Sequence, residues 1–328
     1  MAQNTNAKNL FSHQKVTFIR VDEGSEAQKI DNFLLKVLKN VPKSHIYKIL
    51  RSGEVRVNKK RVNTSYRLKI DDQVRIPPII IEEEVPHIIS PKQQQTAWLE
   101  TNVLYEDEAL LAINKLSGFA VHGGSGLNFG VIELIRHIRP KAKFLELVHR
   151  IDRETSGILL IAKKRSALVN MHDMMRHNRI EKKYIMMVDG EWKERKKIVE
   201  LTLKKAFSQH GVRRVNVAED ENDSQNQISK SIFYLKKSLG PFSLLEAKLI
   251  TGRTHQLRVQ LAHLGFPILG DDKYGDFSLN KALQKKGLKR MFLHALSLKM
   301  KHPLTLEPLE LIAPLPTDLD IFLSQQTL

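Results

Sequence analysis

The sequence predicts an α+β chain built as two units, and three observations carry that reading. Residues 15–80 hold two short amphipathic helical patterns followed by short alternating strands. Residues 81–97 are rich in Glu, Pro and Gln and read as a linker. From residue 98 to residue 328, short apolar runs alternate with helical patterns, as a second and larger domain requires. No internal repeat is present.

In the first unit, Ile30, Phe33, Leu34, Val37 and Leu38 follow the i, i+3, i+4, i+7, i+8 spacing of a helix with one apolar face. Pro42 stops it. Ser44 is placed to cap a second helix carrying Ile46, Ile49 and Leu50, and Gly53 suits its exit. Val55 and Val57 alternate with Arg56 as a strand, Asn58-Lys59-Lys60 turns into Arg61-Val62, and Val74-Arg75-Ile76 supplies another strand. Glu82-Glu83-Glu84, two prolines and Gln93-Gln94-Gln95 mark the linker. In the second unit, Ala109 to Asn114 and Ile158 to Ala162 read as strands, and Leu168 to His177 as a helix. The polar stretch Gln209 to Lys230 reads as a mobile hairpin tip, and Lys281 to Lys289 as a loop.

Composition narrows the function. Lys and Arg number 53 against 36 acids, a formal net charge of +17 spread along the chain. A folded binder of polyanions fits that distribution better than a globule with a basic tail. No run approaches the roughly 18 apolar residues of a spanning helix, and Met1 to Gln14 has no secretory apolar region. A membrane partner is therefore not expected. The chain has no Cys, which removes disulfides, thiolate zinc sites and any enzyme that attacks a base through sulfur. Its 13 His show no metal-ligand spacing, so no metal site is expected.

The most informative stretch is Val148-His149-Arg150-Ile151-Asp152-Arg153-Glu154-Thr155-Ser156-Gly157. It sets one carboxylate in a basic polar loop just before the buried run Ile158-Leu159-Leu160-Ile161-Ala162. Arg150 and Arg153 favour an ionised Asp152, which suits a nucleophile or general base. A plain alternative is a turn capped by Asp152 or Thr155. A kinase catalytic loop is excluded, because Ile151 separates Arg from Asp and no Asp-Phe-Gly exists. Gly123-Gly124-Ser125-Gly126 completes neither a dinucleotide fingerprint nor a P-loop.

The stretch resembles the His-Arg-Leu-Asp-x-x-Thr-Ser-Gly motif of the RluA-type pseudouridine synthases, with Ile151 at the Leu position. Three further segments carry the resemblance. Lys115-Leu116-Ser117-Gly118…Val121-His122-Gly123-Gly124 is similar to the family's Lys-Pro-x-Gly…Val-His-x-Gly, with Leu116 in place of Pro. Glu181-Lys182-Lys183-Tyr184 is similar to its Lys-Lys-Tyr. The longest stretch, Thr251-Gly252-Arg253-Thr254-His255-Gln256-Leu257-Arg258-Val259-Gln260-Leu261-Ala262-His263-Leu264-Gly265-Phe266-Pro267-Ile268-Leu269-Gly270-Asp271-Asp272-Lys273-Tyr274-Gly275, resembles its Gly-Arg-Thr-His-Gln-Ile-Arg-Val-His signature, with Gln260 where many members have His.

The resemblance implies a catalytic domain on a mixed, mainly antiparallel β-sheet. It also implies that Asp152 is the catalytic carboxylate, that Tyr184 packs on the target base, and that Arg253 pairs with Asp152. Taken on the sequence alone, a strand Tyr such as Tyr184 is more often core, and Arg258 is either structural or phosphate-contacting. Residues 15–80 resemble the S4 RNA-binding domain. They hold 15 Lys and Arg against 7 Asp and Glu, a net of +8. Lys43, Lys48, Arg51, Arg56, Lys59, Lys60 and Arg61 crowd into 19 residues and are expected, with Arg150, to contact RNA. The implied activity is conversion of uridine to pseudouridine in large-subunit (23S-type) ribosomal RNA or its pre-ribosomal particle. A cytoplasmic monomer without cofactor is expected. Two other classes compete: a nucleic-acid N-glycosidase, and a non-catalytic RNA-binding assembly factor.

Overall fold

The computed structural model describes residues 15–38, 41–79, 93–123, 129–207, 213–218 and 226–326. It divides into two compact units, residues 1–89 and 90–328. In the first, β1 (Thr17–Arg20), α1 (Ile30–Val37), α2 (Lys43–Arg51), β2 (Arg56–Val57), β3 (Lys60–Arg61) and β4 (Gln73–Ile76) form a helix pair on a four-stranded sheet ordered β1-β4-β2-β3. The apolar faces of α1 and α2 meet the inward residues Val57, Val74 and Ile76 in one core. Pro42, not Ser44, stands at the N-cap of α2, and Ser44 lies inside the helix. Proline is tolerated there because an N-cap N–H makes no intrahelical hydrogen bond, so its missing donor costs nothing. Gly53 follows α2 at φ +74°, the left-handed exit that glycine tolerates best. Asn58 and Lys59 both have positive φ, so β2 and β3 join through a tight hairpin turn.

The second unit begins with α3 (Gln93–Thr101), which takes up residues 93–97 of the expected linker; residues 81–92 lie outside the described residues. Leu99 of α3 is buried, and Trp98 packs on Phe119 at 4.8 Å. The chain continues through β5 (Val103–Glu106), β6 (Leu110–Lys115), α4 (Val131–Ile138), β7 (Glu146–Leu147), β8 (Ser156–Ala162), α5 (Arg165–Arg176), β9 (Glu181–Asp189) and β10 (Lys196–Phe207). It then forms β11 (Arg213–Val217), β12 (Gln227–Leu239), β13 (Phe242–Leu249), α6 (Gln256–His263), α7 (Phe277–Lys285), β14 (Leu293–Lys301), β15 (Pro308–Ile312) and α8 (Thr317–Gln325). The expected polar hairpin thus has strands at both ends, while residues 208–212 and 219–225 lie outside the described residues. The expected loop at Lys281–Lys289 is largely α7. Asp276 caps it through Leu279 N, and only its Leu283 is buried, so its exposed polar faces hid the helix.

All these strands join one sheet, ordered β11-β10-β12-β13-β9-β14-β8-β6-β5, with β15 beside β14 and β7 beside β8. Every pairing is antiparallel except that of β14 with β8. The sheet is therefore mixed and mainly antiparallel. β6 and β8 are buried on both faces, which explains their unbroken apolar runs. Leu111, Ile113, Leu159 and Ile161 face α4, and Leu110, Ala112, Ile158 and Leu160 face α5. α6 packs its Leu257 and Leu261 on Met186, Val188, Leu245 and Ala247 of β9 and β13. Among the described residues, no helix is long and apolar enough to cross a membrane.

The β14–β8 seam holds the two halves of the sheet together through only His294↔Ser156 and Ala295↔Gly157. Gly157 sits at φ +109°, and a Cβ there would lie 2.3 Å from the Ala295 carbonyl oxygen. Close approach of the two strands therefore needs glycine. Gly157→Ala is expected to lower the unfolding free energy by about 2 kcal/mol or more, through strained φ and overpacking together. Urea unfolding followed by far-UV circular dichroism measures it, and an unchanged midpoint would show that the seam relaxes freely.

Candidate active site

Asp152 lies in the turn leading into β8, where Thr155 N–H donates to the Asp152 carbonyl at 3.2 Å. Its side chain does not cap that turn. Oδ2 accepts instead from Nη1 of Arg258, at 3.3 Å, 106 residues away. Arg258 is fixed first by Asp271: Nε donates to Oδ2 and Nη2 to Oδ1, both at 2.7 Å. This two-pronged pair is buried, with Asp271 fully covered. Asp271 also accepts from the backbone N–H groups of Lys273 and Tyr274. Burial alone would lower the Arg258 pKa, but hydrogen bonds and charge from Asp271, then Asp152, raise it, and the guanidinium stays charged. With Arg258 locked, its remaining nitrogen is aimed at Asp152. Oδ1 of Asp152 has no hydrogen bond among the described residues.

The expected Arg253–Asp152 pair does not form. Arg253 is exposed, and its Nε donates to the Ile228 carbonyl at 3.1 Å. It precedes α6, whereas Arg258 lies within that helix and is drawn into the site by Asp271. Nor do Arg150 and Arg153 supply the cation beside Asp152. Arg150 is exposed, and Arg153 turns to the Gly118 carbonyl and to Glu154.

Tyr184 stands on β9 opposite Ala247 of β13 and Ala295 of β14, two small neighbours in register with it. Burial first, and the Asp152 charge second, push its hydroxyl pKa up, so it remains a neutral phenol. The ring therefore offers an apolar face and a polar tip beside the carboxylate.

Four further residues complete the site. Lys115 is fully buried, and its Nζ donates to the carbonyls of Leu116, Phe119 and Arg153, at 2.8, 2.9 and 3.0 Å. This ties the turn after β6 to the Asp152 loop. Burial, then the Arg290 charge, push its pKa down to about 7. His255 has φ +53° at the N-cap of α6, and its Nε2 is 3.9 Å from Asp152 Oδ2. The Tyr274 hydroxyl accepts from Val215 N–H and is hydrogen-bonded to His255 Nδ1 at 2.9 Å, which leaves the other ring nitrogen, Nε2, facing the carboxylate. Burial lowers the His255 pKa against the opposing pull of Asp152. Asp271, Tyr274, His255 and Lys115 were not singled out from the sequence. The usable signal was local: Arg258 and Gln260 are polar positions in a helix buried on every side, so each needs a partner.

Gln256 pins the start of α6 to the sheet. Its Oε1 accepts from Arg253 N–H and Thr251 Oγ1, and its Nε2 donates to Lys230 O and Ser231 Oγ. Across the seam, Arg290 Nη2 donates to Ser156 Oγ, Ser156 donates to His294 Nδ1, and His294 Nε2 donates to the Ala313 carbonyl. His149 accepts from Leu160 N–H through Nε2.

In the N-terminal unit, Lys43, Lys48, Arg51, Arg56, Lys59, Lys60 and Arg61 are all exposed, on α2 and the β2–β3 hairpin. None has an ion pair among the described residues. Arg61 lies over Gly53, so the end of α2 and the hairpin offer their cations side by side.

A family model described as RNA pseudouridylate synthase matches residues 109–263, and one described as S4 domain matches residues 28–74. Ribosomal large subunit pseudouridine synthase C of Pasteurella multocida (strain Pm70) is 47% identical over 307 residues, covering 94% of this chain and 93% of that protein. The protein of the same name from Escherichia coli (strain K12) is 47% identical over 303 residues, covering 92% and 93%. Among solved structures, human RNA pseudouridylate synthase domain containing 4 shares the fold with a TM-score of 0.58 at 24% identity, over 71% of this chain and 96% of that one.

The histidines set an acid limit on the fold. Burial pushes His149 and His294 down to about 4, from 6.5. Between those values the unfolded chain binds more protons than the folded one. Stability is therefore fully present above about pH 6.5 and falls as the pH drops toward 4, by roughly 3 kcal/mol per ring. His149→Gln keeps an acceptor for Leu160 N–H and cannot titrate. Urea unfolding between pH 4.5 and 7 is expected to show a shallower acid loss in the variant, whereas an identical profile excludes His149 as a source.

Proposed function

Because the chain belongs to the RNA pseudouridylate synthase family, we propose that it isomerises uridines of large-subunit ribosomal RNA, in the cytoplasm, with Asp152 as the reacting carboxylate. The observation that carries the site assignment is the chain of contacts Asp271–Arg258–Asp152 beside Tyr184. The substrate assignment rests on relatives covered over almost their whole length and on the S4 match.

The reaction breaks the N1–C1′ bond, turns the base and joins C5 to C1′. A proton leaves C5 and N1 gains one, so no atom is added overall and the balance requires no cofactor. The uridine must first leave its stack, at a cost of a few kcal/mol. Exposed cations on α2 and the hairpin hold the RNA meanwhile. Asp152 then acts through Oδ1, while Arg258 holds Oδ2. Attack on the sugar or base and removal of the 2′ proton both use that free oxygen. Tyr184 stacks on the released base, keeping it from diffusing away before C5 meets C1′. Arg258 is a positioning residue, because it acts through Asp152.

The deciding experiment is pseudouridine mapping of ribosomal RNA from cells lacking the protein. Specific large-subunit sites are expected to revert to uridine and to return when purified protein is added. Unchanged ribosomal RNA would direct the search to other RNAs. Asp152→Asn is expected to reduce turnover roughly 10⁴-fold with RNA binding intact; turnover within tenfold of wild type removes Asp152 from the chemistry. Two arginine variants separate the candidate positioning residues. Arg258→Lys keeps the charge and loses the fork that engages Asp271 and Asp152 together, so kcat is expected to fall about 100-fold or more. Arg253→Lys leaves kcat at saturating RNA within about threefold, because among the described residues its side-chain hydrogen bond is to a carbonyl oxygen. The reverse ranking would return Arg253 to the carboxylate.

A further inference from the structure

Strand β9 carries three consecutive charges whose surroundings differ. Glu181 and Lys183 lie on the face away from α6. There Glu181 pairs with Lys248, and Lys183 with Glu246 at 3.5 Å. Lys182 lies on the opposite face, with Tyr184 and Met186. It is half-buried, and it has neither an ion pair nor a hydrogen bond among the described residues. Its neighbours in register are Leu249 of β13 and Leu298 of β14, which offer it no acceptor. The ammonium lies 3.7 Å from where a Cβ on Gly252 would stand, so it sits against the turn that leads into α6. Its charge also reaches the His149 ring and disfavours protonation there. The Asp152 carboxylate is taken up by Arg258 and does not neutralise it.

A desolvated cation without a counter-ion is costly to keep unless a ligand completes it. Two residues along one face of a strand separate side chains by about 7 Å. That is the scale of the distance from a base to its own backbone phosphate. With the base on Tyr184, an RNA phosphate falls within reach of Lys182. We propose that Lys182 grips a backbone phosphate flanking the reacting uridine and so fixes the flipped nucleotide over Tyr184 and Asp152. This rests on the pseudouridine synthase reading and adds a second anchor to it. Lys182 is a substrate-positioning residue at the RNA backbone, separate from the surface cations of the N-terminal unit.

The test uses the full-length protein and a short stem-loop RNA first shown to yield pseudouridine with wild type. A negative result then bears on Lys182 and not on the activity. Lys182→Met is expected to raise KM roughly 10- to 100-fold, the range of a charge-assisted contact, with little change in kcat at saturation. The slope of log affinity against log salt should shrink by about one contact, and Lys182→Arg should restore most of the affinity. The stringent readout replaces one phosphate at a time by an uncharged methylphosphonate. In wild type, one linkage beside the uridine should be costly. In Lys182→Met, the same replacement should cost nothing further. Losses that add in full would overturn the proposal, since a merely structural lysine behaves that way. Wild-type tolerance of neutral linkages on both sides of the uridine also overturns it, and this arm needs no variant to fold.

Discussion

The pairing of Arg258 with Asp271 is the interaction on which the site depends. Two buried, parallel hydrogen bonds at 2.7 Å hold the guanidinium in one orientation. Removing either partner leaves an uncompensated buried charge, a loss of about 3–5 kcal/mol in comparable pairs. Asp271 is itself fixed by the backbone N–H groups of Lys273 and Tyr274. The Asp152 carboxylate thus inherits its position from a second, fully covered carboxylate, Asp271.

Around that pair, loops are held by backbone contacts. Lys115 gathers three carbonyls, one of them from Arg153 next to Asp152. Ser117 Oγ donates to the Glu154 carbonyl, and Gly118 N–H to that of Arg153. The turn after β6 therefore clamps the Asp152 loop through contacts separate from that of Arg258. A loop restrained on both sides keeps one rotamer of the carboxylate available to substrate, which is what preorganisation requires.

Much of this was legible in the sequence, for physical reasons that differ by element. α1 and α2 pack one apolar face on a small sheet, so their spacing is visible. β6 and β8 are buried on both faces and appear as unbroken apolar runs. α7 stayed hidden because a single leucine is buried while its other faces carry Lys, Gln and Asn. α6 was not read as a helix although its motif was noted, because a helix buried all round has no amphipathic period. Asp152 and Tyr184 were found through their motifs. The expected contact of Arg253 with Asp152 did not form, since both Arg253 and Arg258 belong to one motif and Asp271, further along the same stretch, holds Arg258 toward the carboxylate. Which arginine turns inward is set by packing in three dimensions, and the linear motif does not record it.

The seam between β8 and β14 has a consequence for how the enzyme comes into being. Asp152 leads into β8, on one half of the sheet, while Tyr184 and Arg258 belong to the other. β14 is the strand that joins the halves, and it is made after every one of those residues. A ribosome that has synthesised the chain as far as Arg290 has made the carboxylate, the aromatic ring and the positioning arginine, yet holds no assembled centre. The residues gathered around Asp152 come together only once β14 closes the sheet.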